Sequence, residues 1–399
     1  MNIKTANFSI GFNQFVERRN PDRLPIDVYL LGSVILLLCI GLVMMTSASI
    51  SEAAKVHHNP FYFFERQSLY ILGGLVIAAI AWKIPLSIIA KARPYFLIAS
   101  VLMLLVLLIP GVGQTVNGST RWIRFAGINV QVSEIVKLFM ILFFASYLEK
   151  HQEILQLSSR PVWVPLGILA VIGGLLLVQP DFGATVVISV TVLSMMLLAG
   201  VRLRIFSLLI IVAGSLFALL IFTSDYRYKR LMGFLNPWAD PFGSGFQLSQ
   251  SLIAFGRGEW LGVGLGESVQ KLFYLPEAHT DFVFAVIAEE LGVVGAIFVI
   301  VLFTFISWRA LRIGKRAEKA GQMFNAYLAY GIGCWLAFQA YVNVGVNMGV
   351  LPTKGLTLPL ISYGGSSIVV SCVAMAFLLR SDYELRFQYR ETDKERRAK

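Results

Sequence analysis

Charge is scarce in this chain. Only 14% of its 399 residues are Asp, Glu, Lys or Arg, against 57% hydrophobic. Soluble globular domains carry about a quarter charged residues, so that class is excluded. Cysteine is scarcer still. Cys39, Cys334 and Cys372 each fall inside an apolar run, and no CxxC spacing occurs. A disulfide framework and a thiolate metal site are therefore not expected, and the three read as small core residues. Alternation of polar and apolar residues is also lacking, which excludes a membrane β-barrel. A cleavable leader is not expected, because the first apolar run follows a polar tail and is itself of full span length.

What is present is a series of long apolar runs. A bilayer core is crossed by roughly 20 apolar residues. Spans are predicted at 28–48, 67–82, 94–110, 134–149, 162–178, 184–200, 205–223, 281–308, 326–349 and 359–379. The fold class is an all-α polytopic membrane protein of about ten transmembrane helices, with a large outward loop between the seventh and eighth. Residues 1–27 form an N-terminal tail, 28–379 the transmembrane domain and 380–399 a basic C-terminal tail. Phe8, Phe12, Phe15 and Val16 share one helical face, so a short helix on the membrane surface is expected in the first tail.

The net charge of +11 does not imply a nucleic-acid partner. Most Lys and Arg fall in alternate connecting segments, among them Arg18, Arg19, Arg23, Lys83, Lys91, Arg93, Arg309 and Arg312, and in the C-terminal tail. The positive-inside rule then places both termini in the cytoplasm and the loops 111–133, 224–280 and 350–358 outside. An outward site meets no ATP or nicotinamide pool. Gly262, Gly264 and Gly266 look like part of a nucleotide loop, but their spacing is wrong and no strand precedes them.

Loop 111–133, with its Asn117-Gly118 and Ala126-Gly127 turns, is expected to form a small hairpin. Loop 224–280 is too long for a plain connection. It opens with Arg227, Lys229 and Arg230, which suit an anionic phosphate or lipid headgroups. Its SLIAFG stretch (251–256) is expected to dip into the membrane interface. The loop closes on KLFYLPEAHTDFVFAVIAEE (271–290), which concentrates Glu277, His279, Asp281, Glu289 and Glu290 at a membrane boundary. Acids there are costly and usually functional.

Asp281 reads two ways from its surroundings: an N-cap of the following helix, or a base at the outer face. Glu277 and His279 could hold an acceptor or a divalent ion, or fix the loop. Lys137 lies inside a span, and Glu289 or Glu290 is the partner expected to neutralise it. With Glu134 they form a set of cavity or structural charges. Asp181 suits a tight turn between Pro180 and Gly183. Gly364-Gly365-Ser366-Ser367 suits close helix packing, or less well an anion nest.

Six motifs occur in order: GSTRWI (118–123), SEIVK (133–137), QPDFG (179–183), FLNPWADPFGSGFQ (234–247), QKLFYLPEAHTDFVFA with EELG (270–292), and LPTKGLTLPLISYGGSS (351–367). Together they resemble the SEDS family of cell-wall polymerases, and within it the division branch rather than the elongation branch. Val132 departs from the pattern, standing where the family often has proline, and a local backbone change is expected there.

The resemblance implies a peptidoglycan glycosyltransferase acting on lipid II, a disaccharide-pentapeptide on undecaprenyl diphosphate, during septal wall synthesis. It places the catalytic base at Asp281 and leaves Lys354 open between phosphate contact, partner-induced activation and plain solvation. It implies no certain cofactor, with Mg2+ or Mn2+ as the candidate ion. It also implies a class B penicillin-binding protein and other division-complex membrane proteins as partners, in the bacterial cytoplasmic membrane at the septum. A lipid II flippase and a non-catalytic division scaffold are the competing functions.

Overall fold

A computed structural model describes residues 26–398 apart from 117–118, 126–127, 158–159 and 353–354. The surface helix expected around Phe8 to Val16, Arg18, Arg19, Arg23, both predicted turn pairs of the 111–133 loop and Lys354 lie outside the described residues.

Among the described residues, three helices are long and apolar enough to cross a membrane by themselves: α1 (Val28–His57), α2 (Tyr62–Lys83) and, far along the chain, the 37-residue helix Val283–Lys319. After α2 come the short α3 (Leu86–Lys91), α4 (Arg93–Leu107), three strands, α5 (Val132–Leu157), α6 (Arg160–Val178), α7 (Phe182–Leu198) and α8 (Leu203–Phe222). Loop 224–280 carries α9 (Asp225–Leu235) and α10 (Phe246–Gly258). Then follow α11 (Val283–Lys319), α12 (Met323–Asn347) and α13 (Gly365–Ala398). Every predicted span overlaps one of these helices. The last begins at Gly365 rather than 359, because Leu358 to Ser362 closes a turn in which the Ser362 hydroxyl accepts the Leu358 N–H at 2.8 Å.

The helices start where the sequence offers caps. The Asp27 carboxylate accepts the Leu30 N–H at 3.2 Å and opens α1. Thirty residues then make a helix of about 45 Å, longer than a hydrocarbon core of roughly 30 Å. The surplus is the polar last turns that follow the apolar run, up to Lys55 and His57. Val132 is the first residue of α5 and is fully buried, so the helix simply begins there.

The 111–133 loop is a three-stranded antiparallel sheet, β1 (Gly113–Val116), β2 (Ser119–Phe125) and β3 (Ile128–Gln131), one strand more than the expected hairpin. The Ser119 hydroxyl donates to the Gln179 carbonyl at 2.7 Å, and the Gln131 N–H donates to the Ser366 hydroxyl at 2.8 Å. The sheet is thereby fastened to the α6–α7 turn and to the start of α13. At that start, a Cβ added to Gly365 would lie 3.0 Å from the Tyr70 ring, so the small residues there serve close packing against α2.

The SLIAFG stretch is helical and packs on α11. It lies within α10, whose Leu248, Ser251 and Ala254 are buried, and Ser251 donates to the Asn347 carbonyl at 2.7 Å. Phe282 to Glu290 do not line an open cavity, since all are buried, whereas Asp281 just before them keeps partial exposure. Packing by α10 and α12 closes that face.

A break in α11 explains the glycines of the 262–266 stretch. Gly292 has φ 68° and ψ −170°, which interrupts the helix. The segment after α10 supplies the missing partners. Val263 and Gly264 donate to the carbonyls of Glu289 and Glu290, and Val293 and Val294 donate to those of Glu259 and Trp260, at 2.9–3.2 Å. Freed backbone groups at membrane depth need such partners. Gly262 has φ +80°, and a Cβ there would fall 2.1 Å from the Glu290 carbonyl oxygen. Gly262→Ala is therefore expected to lower the thermal midpoint in detergent by several degrees. An unchanged midpoint would show that this segment does not support the break.

Candidate active site

The loop before α11 is a chain of tight turns. The N–H groups of Thr280 and Phe282 both donate to the Glu277 carbonyl, and the Thr280 hydroxyl donates to the Glu277 carboxylate at 2.7 Å. Phe282 occupies the cap position of α11, with no side-chain cap. The N-cap alternative for Asp281 is thus corrected: its carboxylate is free of that duty. Its main-chain carbonyl is held from α12 instead, by the side-chain amides of Asn343 at 2.8 Å and Asn347 at 3.1 Å. The side-chain Oδ1 of Asn347 accepts the Ala285 N–H at 3.1 Å, so one asparagine fixes both sides of the helix start.

The Asp281 carboxylate packs against the backbone of the loop before α13. A Cβ added at Gly355 would lie 2.7 Å from Asp281 Oδ2. Burial, and then the neighbouring Glu277 carboxylate, push the Asp281 carboxyl up to about 7, while Arg121, Arg230 and His279 oppose the rise. A carboxylate with that acidity is ionised in a large fraction at neutral pH and is a stronger base than a solvated one.

The two arginines come from distant elements. Arg121 lies on the central strand β2, with a guanidinium nitrogen 3.8 Å from Asp181 Oδ1. Asp181 also accepts the Ala184 N–H at 3.2 Å, so it caps α7 and stands beside Arg121 at once. Arg230 is half-buried on α9 and Lys229 is exposed on the same helix. The side chain of Arg227 lies outside the described residues.

Glu134 and Lys137 belong to a buried polar chain below Asp281. Lys137 Nζ donates to Glu134 Oε1 and to Gln339 Oε1, each at 2.8 Å. The Trp335 indole donates to the same Gln339 oxygen at 2.7 Å, and the Gln339 amide donates to the Thr357 carbonyl at 3.0 Å. The chain thus runs from α5 through α12 to the loop that touches Asp281.

The expected pairing of Lys137 with Glu289 or Glu290 is overturned. Glu134 sits one helical turn away from Lys137, and both later glutamates have other partners. Glu289 accepts from the Ser268 hydroxyl and the N–H groups of Val269 and Gln270, with Arg257 at 3.5 Å. Glu290 accepts from Lys271 Nζ at 2.7 Å and from the Ser47 hydroxyl. They fasten loop 264–271 to α11 and α1.

Glu277 is exposed, whereas His279 is 8% exposed at its side chain, with Nδ1 3.3 Å from a carboxylate oxygen of Glu52. Glu277, His279 and Asp281 therefore point to different partners. Among the described residues no three His, Cys, Asp or Glu converge as a metal-ligand set. The residues present do not fit a protein-only cage for Mg2+ or Mn2+.

Arg121, Gln339, Asn343 and Asn347 were not singled out from the sequence. Arg121 stood within a quoted motif and was discoverable there. The others are polar residues four apart within an apolar helix, which is a signal for a polar stripe facing a site.

A model of the family described as cell cycle protein matches residues 28–386. The probable peptidoglycan glycosyltransferase FtsW of Nitrosococcus halophilus is 52% identical over 90% of this chain and 93% of its own. The protein of the same name from Legionella pneumophila is 52% identical over 93% and 95%. Among solved structures, a chain of a peptidoglycan synthase complex that coordinates polymerization and crosslinking superposes with a TM-score of 0.73 at 26% identity, over 91% of this chain and 99% of that one. The rod shape determining protein RodA of Thermus thermophilus superposes with a TM-score of 0.67, also at 26% identity and with the same coverage. With the motifs, the helical architecture and half-identical relatives in agreement, the chain belongs to the cell cycle protein family that contains FtsW and RodA.

Proposed function

We propose that Asp281 is the general base of a peptidoglycan glycosyltransferase that polymerises lipid II in cell division. The chain is a multi-pass membrane protein of the FtsW type. The observation that carries the role of Asp281 is its carboxyl, raised to about 7 by burial and faced by Arg121 and Arg230.

The reaction needs two services. A base takes the proton from the acceptor sugar hydroxyl as its oxygen bonds to the donor's anomeric carbon, which typically contributes 10²–10⁴-fold. The bond from that carbon to the diphosphate breaks, and the leaving undecaprenyl diphosphate takes the electron pair. Cations beside its phosphates stabilise the charge that develops. Arg121, Arg230 and Lys229 suit that service. Lys354 and Arg227 belong to the same segments and are candidates for it. Asn343 and Asn347 hold the main chain of Asp281 and limit its drift. The Glu134–Lys137–Gln339 chain supports the neighbouring loop.

The site faces the outer leaflet if both termini are cytoplasmic, as the Lys and Arg distribution favours. The bacterial cytoplasmic membrane at the septum is the setting that fits. A class B penicillin-binding protein is the fitting partner, since the solved complex that resembles this chain couples polymerization to crosslinking.

The deciding assay is polymerisation of purified lipid II in detergent by this chain with its transpeptidase, the crosslinking site blocked. Glycan strands are expected. Their absence from an intact complex, together with lipid II translocation in vesicles, would favour the flippase reading. The rate is also expected to depend on pH with the sign of a base: low below pH 6, rising through about pH 7 as Asp281 ionises, then level. A profile flat from pH 5 to 8 would remove Asp281 from that role.

A further inference from the structure

We propose that Glu52 is a positioning residue for Asp281: from the far end of α1 its carboxylate holds the His279 ring, which fixes the catalytic loop. This rests on Asp281 being the base.

The geometry begins with the surplus length of α1. The helix continues past the apolar run to His57 and meets the loop and the start of α11 at three heights. Ser47 donates to Glu290. Glu52 stands 3.3 Å from His279 Nδ1. Lys55 Nζ lies 4.4 Å from the centre of the Phe273 ring. His279 is the residue among these contacts nearest Asp281, two positions away.

The imidazole sits in an aromatic cradle. Phe63 of α2 lies 4.6 Å from it, centre to centre, and Tyr363 lies 5.6 Å away. The His279 carbonyl accepts the Tyr363 N–H at 3.0 Å. With Asp281 fixed at its own carbonyl by α12, the segment 279–281 is held from both sides. A ring nitrogen buried among aromatic rings needs a polar partner. The Glu52 carboxylate lies within reach of it, and its own side chain is 43% exposed, which limits its own desolvation. His57 of α1 acts on Glu52, Tyr62, Arg66 and Tyr70 of α2 act on the Tyr363 ring beside His279, and Glu277, Arg121 and Arg230 act with His279 on Asp281. His279 is one of the groups that oppose the rise of the Asp281 pKa.

Without the Glu52 carboxylate, the His279 ring loses the contact that fixes it in the loop beside Asp281. The opposition that His279 offers to the raised Asp281 pKa then weakens, and Asp281 ionises at higher pH. The test is the pH profile of lipid II polymerisation by the full chain with its transpeptidase, for wild type, Glu52→Gln, His279→Gln and the double variant. In each single variant the acid limb is expected to move up by about half to one pH unit. The rate at pH 6 should fall about 3–10-fold, with the loss shrinking toward pH 9. The double variant should move no further than His279→Gln alone, and Glu52→Asp should recover most of the wild-type profile.

A profile that superimposes on wild type, with only yield or thermal midpoint lowered, overturns the proposal. So does an additive double variant, or loss of fold in both single variants, because the pair is then merely structural. Asp281→Asn run alongside separates the two readings. Polymer lost in that variant but an unmoved profile in Glu52→Gln rejects the role of Glu52 alone, whereas polymer retained in Asp281→Asn rejects the base itself.

Discussion

Asp281→Asn is expected to lower the lipid II polymerisation rate by about 10²–10⁴-fold while leaving the protein folded. Asparagine has nearly the same shape and accepts no proton at neutral pH. The contacts that place residue 281 come from its main chain, through Asn343 and Asn347, and these survive the substitution. The effect on stability has the opposite sign to the effect on activity. The folded-state pKa of Asp281 is raised from 3.8 to about 7. Between those values the folded protein binds more protons than the unfolded one, so stability falls as pH rises through that window. Above pH 7 the buried carboxylate carries this cost and the amide does not. The variant should therefore melt a few degrees higher than wild type at pH 8, and the difference should vanish near pH 4. Equal polymer from both proteins would sink the assignment. A lower midpoint at pH 8 would show instead that the carboxylate is well paired. A scaffold should tolerate the substitution, so the same experiment removes that reading when activity is lost.

Glu290→Ala has the largest expected effect on stability, a loss of about 3–5 kcal/mol. Glu290 is 1% exposed. Lys271 Nζ lies 2.7 Å from its carboxylate and also donates to the Ser47 hydroxyl at 2.9 Å and the Gly266 carbonyl at 2.6 Å. Ser47 in turn donates to both carboxylate oxygens, at 2.7 and 2.9 Å. Removing the carboxylate strands a buried ammonium beside apolar helices. Replacing both partners by apolar residues of similar size, Lys271→Met with Glu290→Leu, should recover much of the loss, because no unpaired charge remains. Thermal unfolding followed by retention of the monodisperse species in detergent reads both variants. A Glu290→Ala midpoint within a degree of wild type would show that the pair is hydrated and adds little.

The two substitutions separate the layers of this site. Asp281 is held where its charge is costly, in the way that active sites accept local instability. Glu289 and Glu290 hold α1, the 264–271 loop and α11 together so that this cost can be borne. The Gly262 contact with the broken helix at Gly292 is part of the same support. It lets a polar loop end inside the helical bundle with its carbonyls and N–H groups partnered.

The sequence by itself determined the solvent and the class, and it singled out the stretch for which chemistry is proposed. Apolar runs of span length with almost no charge have one stable form in a bilayer, because only helices satisfy their own backbone there. The acid-rich stretch 271–290 stood out for the same reason: a carboxylate at a membrane boundary needs a partner or a purpose. What local pattern could not decide was which partner each charge finds. Lys137 has Glu289 and Glu290 as well as Glu134 available in principle and takes Glu134, because helix periodicity places it one turn away and Gln339 arrives from α12. The N-cap alternative for Asp281 failed for a similar reason: the tight turn at Glu277 starts α11 at Phe282 and Val283, and shifts the carboxylate out of the capping position. Arg121 joined the site only through the sheet that fastens β2 to the α6–α7 turn. Pairing among distant groups is settled by three-dimensional packing, which brings together residues hundreds of positions apart. Desolvation follows from that packing too, so the unusual acidity of Asp281 belongs to the folded molecule and is written nowhere in its neighbours along the chain.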